Sequence, residues 1–362
     1  MDLGRTSPKR PYLPRGYLFP TMKLGRYSVL PKTISHLAYA TALQDLTYSI
    51  NCTKPGGIVW VIGPSGAGKS HIRSEVARVL VGDPSQWGDG RLPLVSVRAQ
   101  VTDRSRFNPK DLARRLADSL REPNLDFLRL NVSGTQLESI ESYLSSVSSS
   151  HKFLGRRDSS EHAMRSEFER HARARDLKWL FIEEIASIVK VHRGHSVANY
   201  MTSLMQIAEE IGVVLVLFGT QRAFPLWMEN EEVRNRSRWV WVRRYREYEP
   251  EDLRPFAEMV RAAGARYELS RKDLLTSDLE LALVNSAGIM GSLLNWLDRA
   301  DAHRNIRRAD KVELCDLRKA TLEVYLQEDL WNKARAFDEI ADAKGNFKLS
   351  ALVKNVSWRG GD

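Results

Sequence analysis

Two cysteines, Cys52 and Cys315, are all that 362 residues contain. A pair so sparse and so far apart excludes a disulfide framework and a cysteine-built metal cluster. Long hydrophobic runs are missing as well. The longest, such as Val213 to Phe218, are strand length, far below the roughly 20 apolar residues that a membrane helix needs, so no membrane partner is expected. The first residues carry Arg5, Lys9, Arg10 and Arg15 without the apolar stretch of a secretory signal, which makes a cytoplasmic location the expectation. Acidic residues are in deficit: 45 Asp and Glu face 55 Lys and Arg, a formal net charge of +10. Such an excess attracts polyanions with salt-dependent affinity, nucleic acid first; a basic surface kept for solubility is the other reading.

What is there is ordinary in bulk. A hydrophobic share of 43% and a mean hydropathy of −0.38 exclude disorder of the whole chain, and the length allows two or three domains, each with a core.

The most specific local feature is Gly63-Pro64-Ser65-Gly66-Ala67-Gly68-Lys69-Ser70, directly after the apolar run Gly57 to Ile62. It matches the phosphate-loop pattern G-x-x-x-x-G-K-[ST] in full and in strand-loop-helix context. Backbone N–H groups converge on a phosphate only where glycines let the chain wrap closely, and Gly63, Gly66 and Gly68 supply that freedom. Lys69 is expected at the β and γ phosphates and the Ser70 hydroxyl on Mg²⁺, with the N-terminus of the next helix facing the anion. Gly63 to Ser70, with His71, are the residues expected around the nucleotide.

Strand and helix patterns then alternate. Strands are expected at Leu92–Arg98, Lys178–Ile182, Val213–Phe218 and Trp239–Val242 after the first, with helices over Ser35–Ile50, Pro109–Leu120, Ser160–Arg175 and Ser196–Ile211. The spacing predicts an α/β fold, a parallel five-stranded sheet covered on both faces by helices. From Pro250 onward only helices are expected, over Glu251–Ala263, Ser277–Ala287, Gly291–Ala302 and Lys311–Leu326, making an all-α lid. The expected organisation is a basic N-terminal arm over 1–35, a nucleotide-binding core over 36–248, a helical lid over 249–326 and a C-terminal tail over 327–362. The tail begins helical and ends in an apolar and basic segment, Phe347 to Arg359, which either docks on a partner or straps across its own lid.

Three further positions carry chemistry. Phe181-Ile182-Glu183-Glu184 ends an apolar strand in two acids; Glu183 is expected in the Mg²⁺ shell and Glu184 as the base that polarises the attacking water. Phe218-Gly219-Thr220-Gln221 ends the fourth strand. Thr220 either senses the γ-phosphate from there or caps the following turn. Arg236 and Arg238 stand just before the fifth expected strand, where an arginine can reach a neighbouring subunit's phosphates. Arg238 is the first choice for that finger and Arg236 the second.

With these elements in this order, residues 36 to 325 resemble an AAA+ ATPase. The strings Phe181 to Ile185, Phe218 to Ala223 and Arg236 to Trp239 resemble, within that superfamily, the transposition regulators of the TniB/TnsC type. The resemblance implies an AAA+ P-loop core with ATP and Mg²⁺ as ligands, and self-assembly as a ring or filament on double-stranded DNA. It also implies that the assembly links a target-selection protein to the transposase and is dismantled by hydrolysis. It further implies that Arg104, Arg106 and Lys110, after the second strand, contact backbone phosphates without reading sequence. The chain departs from the family at Glu183, where Asp is usual, and at Ala186, where His is frequent. The lid start Gly288 to Leu294 lacks the arginine that many AAA+ proteins place there. Three other readings remain open: a replication initiator or helicase loader, a scaffold that binds nucleotide without hydrolysing it, and an NTPase whose partners are acidic proteins.

Overall fold

The computed structural model describes residues 34–101, 106–129, 138, 140–142, 160–190, 197–228 and 230–342. Residues 1–33 of the expected arm, Arg104 and the segment from Phe347 to Arg359 lie outside them.

Helix α1 (Leu37–Asn51) leads into strand β1 (Ile58–Ile62), whose five residues are all buried. An apolar run with no exposed side is what a strand covered on both faces requires. The phosphate loop joins β1 to α2 (Lys69–Val81), and β2 (Leu94–Arg98) leads to α3 (Pro109–Arg121). The Asn108 side chain caps α3 by accepting from Lys110 N, with Pro109 at the first position, where its missing N–H leaves nothing unpaired. Helix α4 (Glu161–Ala174), capped by Ser160, precedes β3 (Trp179–Glu183). Then follow α5 (Val197–Ile211), β4 (Val214–Gly219), the short helices α6 (Pro225–Met228) and α7 (Glu231–Asn235), and β5 (Ser237–Trp241).

All strand pairs are parallel, in the order β2-β3-β4-β1-β5. The fold is therefore the expected α/β one, a five-stranded parallel sheet flanked by helices, with a helical C-terminal region. One boundary moves with consequence: Ile58 N donates to Arg236 O and the ladder to β1 begins at Ser237. Arg238 is thus the second residue of β5 and does not precede the strand.

After β5 come α8 (Pro250–Gly264), α9 (Leu279–Ser286), α10 (Met290–Arg307), α11 (Leu314–Lys319) and α12 (Val324–Ala341). The single helix expected over Lys311–Leu326 is two. Side chains from other helices capture the backbone at the break: Trp296 donates to Leu317 O, Arg299 to Ala320 O, and Asn285 Oδ1 accepts from Leu322 N. Tertiary bonds of this kind override local helical pattern. The C-terminal helices enclose a second apolar cluster around Phe256, Leu293 and Trp296, while Phe337 of α12 belongs to the cluster beneath the sheet.

Helix α12 is fastened by charge as well as by packing. Arg244, its side chain fully buried, donates to Asp338 Oδ2 from Nε (2.9 Å) and Nη2 (2.6 Å) and to Ala287 O at 3.0 Å. It also pairs with Glu247 at 2.9 Å and lies over the Trp331 ring. Arg243 and Arg246 hold Asp342. At the other end of the chain, Tyr245 Oη accepts from Ala38 N and meets His36 Nδ1. The segment after β5 is thereby tied to both α1 and α12. Among the described residues no helix is long and apolar enough to cross a membrane.

Removing one partner of a buried ion pair leaves the other charge uncompensated, at a cost of about 3–5 kcal/mol. Asp338→Ala is expected near the lower end, about 3 kcal/mol in urea unfolding, because Glu247 remains. Glu258→Ala, which breaks an exposed pair with Arg254, is expected to change stability by less than about 1 kcal/mol.

Candidate functional site

The parallel ladders bring the carboxyl ends of all five strands to one edge of the sheet, where crevices in open α/β sheets bind ligands. A cavity of about 570 Å³ lies there. The phosphate loop, Glu183 and Glu184 after β3, and Gly219 and Thr220 at the end of β4 all line it. Every nucleotide-site residue expected from Ser65 to His71 lines it except Ala67, which is buried.

The loop has the backbone its sequence calls for. Gly66 and Gly68 sit at φ 82° and 87°, a region that L side chains rarely adopt. Lys69 opens α2 and turns its ammonium back on the loop, donating to Gly63 O at 2.9 Å and Pro64 O at 2.7 Å. Burial pushes its pKa down to about 8. Ser70 and His71 are exposed on the first turn of α2.

The lid meets the loop backbone to backbone. Gly291 N donates to Gly66 O at 2.9 Å, and a Cβ built on Gly291 falls 2.7 Å from that oxygen. Only glycine fits.

The two acids have different surroundings. Glu183 Oε1 lies 3.0 Å from Arg73 Nη1 and 3.5 Å from Ser96 Oγ. Glu184 takes a left-handed φ of 54°, uncommon for a residue with a side chain, which turns the chain sharply after β3. Its carboxylate stands 3.5 Å from Arg98 Nε. Among the described residues no three His, Cys, Asp or Glu side chains gather as a metal site. A divalent cation here would have Ser70 Oγ to meet it, but the carboxylate meant for it is committed to a guanidinium. The donor set does not fit a protein-held ion.

Thr220 stands at the cap position of a short turn over Gln221–Ala223, yet its side chain makes no capping bond and lines the cavity. Arg236 is held by Glu209 and, at 3.5 Å, by Glu232. Arg238 is exposed and, among the described residues, reaches a backbone oxygen alone, Cys52 O at 3.4 Å. It pairs with Val59 in the ladder, whereas the loop begins beyond Ile62. Three strand steps, about 10 Å, separate Arg238 from the loop end of its own sheet. Arg106 and Lys110 are both exposed, at the carboxyl side of β2. Val101 bridges Phe107, whose N–H donates to Lys190 O.

Sequence reasoning missed Arg73, Arg98, Lys190, Arg222 and Gly291, all on the cavity wall. Arg73 was recoverable, since it lies four residues beyond Lys69 and shares its helical face. Arg98 was recoverable only from strand register, which sets it opposite Glu183.

Residues 52–226 match the family model of the AAA domain. That match, with the sheet order and the loop, makes the core similar to an AAA domain over just under half of the chain, and a helical region follows it. No curated protein matches the sequence. Among solved structures, Cdc6p from Pyrobaculum aerophilum is similar at 14% identity and TM-score 0.49, over 82% of this chain and 69% of that one. A Walker-type ATPase of Pyrococcus abyssi is similar at 13% identity and TM-score 0.49, over 87% of each chain. Drosophila ORC bound to DNA is similar at 14% identity and TM-score 0.44, over 88% of this chain and 70% of that one. Likenesses this distant leave what those proteins bind and do with them.

A phosphate against Lys69 holds it protonated, while the free protein releases that proton above pH 8. Affinity for ATP is therefore expected to be level below pH 8 with respect to this group and to fall above it, by up to tenfold per unit. Titration calorimetry at pH 9 in buffers of different ionisation heat should register proton uptake on binding. A count of zero would remove Lys69 from the phosphates.

Proposed function

We propose that this chain is an ATP-dependent regulator of DNA transposition, of the TniB/TnsC type, that assembles on double-stranded DNA and acts as an ATPase between subunits. The observation that carries the reading is the division of one catalytic set between two ends of the sheet. Lys69, Glu184 and Thr220 share a cavity, while the exposed Arg238 stands about 10 Å back from the loop end of its own sheet, toward the opposite edge. An arginine there is set away from its own cavity and is available to the cavity of a neighbouring copy. Arg236, engaged by two glutamates, is the weaker candidate.

In this mechanism the loop N–H groups and Lys69 hold the phosphates, with Thr220 near the γ-phosphate. Glu184 takes a proton from water as the water oxygen bonds to the γ-phosphorus. The bond to the β–γ bridging oxygen breaks, ADP and phosphate leave, and Arg238 of the adjacent subunit offsets the charge that develops. Ser70 is the side chain available to a Mg²⁺ ion that arrives with the phosphates. In this reading the core spans 36–248, the lid 249–326 and the tail 327–362, whose first part, in α12, straps across its own lid. The net charge of +10 and the exposed Arg106 and Lys110 suit contact with DNA phosphates. The link from a target-selection protein to the transposase rests on the resemblance in the strings around Glu183, Thr220 and Arg238.

Electron microscopy of the full chain with duplex DNA and a slowly hydrolysed ATP analogue tests the reading against samples lacking either. Rings or filaments should form only with both present. Particles indifferent to DNA would instead mark a protein-directed ATPase.

Phosphate release supplies a second check. Glu184→Gln should lower it at least about 100-fold and Arg238→Ala about 1,000-fold, with ATP affinity kept in both. Equal rates for the parent and Glu184→Gln would end the ATPase claim. Reversing charge at Arg106 and Lys110 should weaken DNA binding and flatten its salt dependence by about two units of slope.

A further inference from the structure

Glu183 would ordinarily be left to a metal ion, and Arg73 has taken that place. The guanidinium donates from Nη1 to Ser96 Oγ at 2.9 Å and pairs from the same nitrogen with Glu183 Oε1 at 3.0 Å. Nη2 meets Ser74 Oγ at 3.4 Å. The two charged side chains are only 20% and 15% exposed. Helix α2 fixes Arg73 on the face that carries Lys69, and β3 fixes Glu183 at the sheet's carboxyl edge. Glutamate, one methylene longer than the aspartate usual at this position, extends its carboxylate that much further toward the helix.

We propose that Arg73 is a positioning residue that stands in for the metal at Glu183, so that the cavity binds a nucleoside triphosphate with an affinity that does not depend on Mg²⁺. This rests on the nucleotide-binding reading above. A phosphate site with free carboxylates repels its ligand until a divalent cation neutralises them and bridges the phosphates. Here the neutralisation is built in. Arg73 faces Glu183, and Arg98 faces Glu184 at 3.5 Å. Lys69, Lys190 and Arg222 remain on the wall for the phosphates. An ion seeking Glu183 would first have to part a mostly desolvated pair and leave Arg73 uncompensated, which is strongly unfavourable.

The test is calorimetric titration of the full-length protein with ATP, once in excess Mg²⁺ and once in EDTA. The two dissociation constants should agree within tenfold, and a wild type more than tenfold weaker in EDTA overturns the proposal without recourse to any variant. Arg73→Gln removes a fixed cation and frees a carboxylate, so its affinity should fall more than tenfold from Mg²⁺ to EDTA. Arg73→Lys should restore agreement within tenfold. A folded Arg73→Gln protein, by its thermal melt, that still binds equally in both arms would reduce Arg73 to a structural role and also overturn the proposal. Absence of ATP binding by the wild type in both arms is a different result, for it removes the nucleotide reading and this inference together.

Discussion

The ladders that join β1 to β4 on one side and to β5 on the other are the constraint on which the rest depends. Ile62 pairs with Gly219 and with Trp241, so the phosphate loop leaves the sheet level with the ends of both neighbours. Ile182 pairs with Leu217 one strand further on, which sets Glu183 and Thr220 along the same edge. A slip of one residue would turn each of these side chains to the opposite face. The same alignment that gathers the cavity at one edge also carries Arg238 toward the other. Concentration of the acids and separation of the arginine have one cause.

Much of this could be read from the residues alone. The loop, the acids after β3 and Thr220 after β4 announce themselves because each follows an apolar run that can only be a buried strand, and parallel strands must end together. The C-terminal helices were legible from their period, except where Asn285, Trp296 and Arg299 break one of them in two. No local pattern records a bond made from another helix. The cations of the cavity were hidden for a related reason. Arg98 becomes a neighbour of the acids only once β2 is set beside β3, and arginines are too common in this chain for one at a strand end to stand out.

Charge is organised differently in the two halves of the chain. Behind the lid, Arg243, Arg244 and Arg246 are matched by Asp338, Asp342, Glu247 and Asp252. The pairs with Asp338 and Asp342 hold α12 in place. Around the cavity the balance tips the other way, with Lys69, Lys190 and Arg222 in excess of the acids that Arg73 and Arg98 already answer. A basic chain thus keeps its neutral clusters for structure and its uncompensated charge for the place where an anion belongs.

Helix α10 begins without a capping side chain, because Ile289 stands where a serine or aspartate would ordinarily accept from the first turn. The Gly291 N–H finds its acceptor in Gly66 O, so the phosphate loop is itself the cap of the lid helix. A substitute for a capping bond is worth about 0.5–2 kcal/mol, enough to govern whether a first turn stays wound. Any rearrangement of the loop that turns Gly66 O away therefore frays the start of α10. The helix registers the state of the loop through its own winding, with no side chain as intermediary.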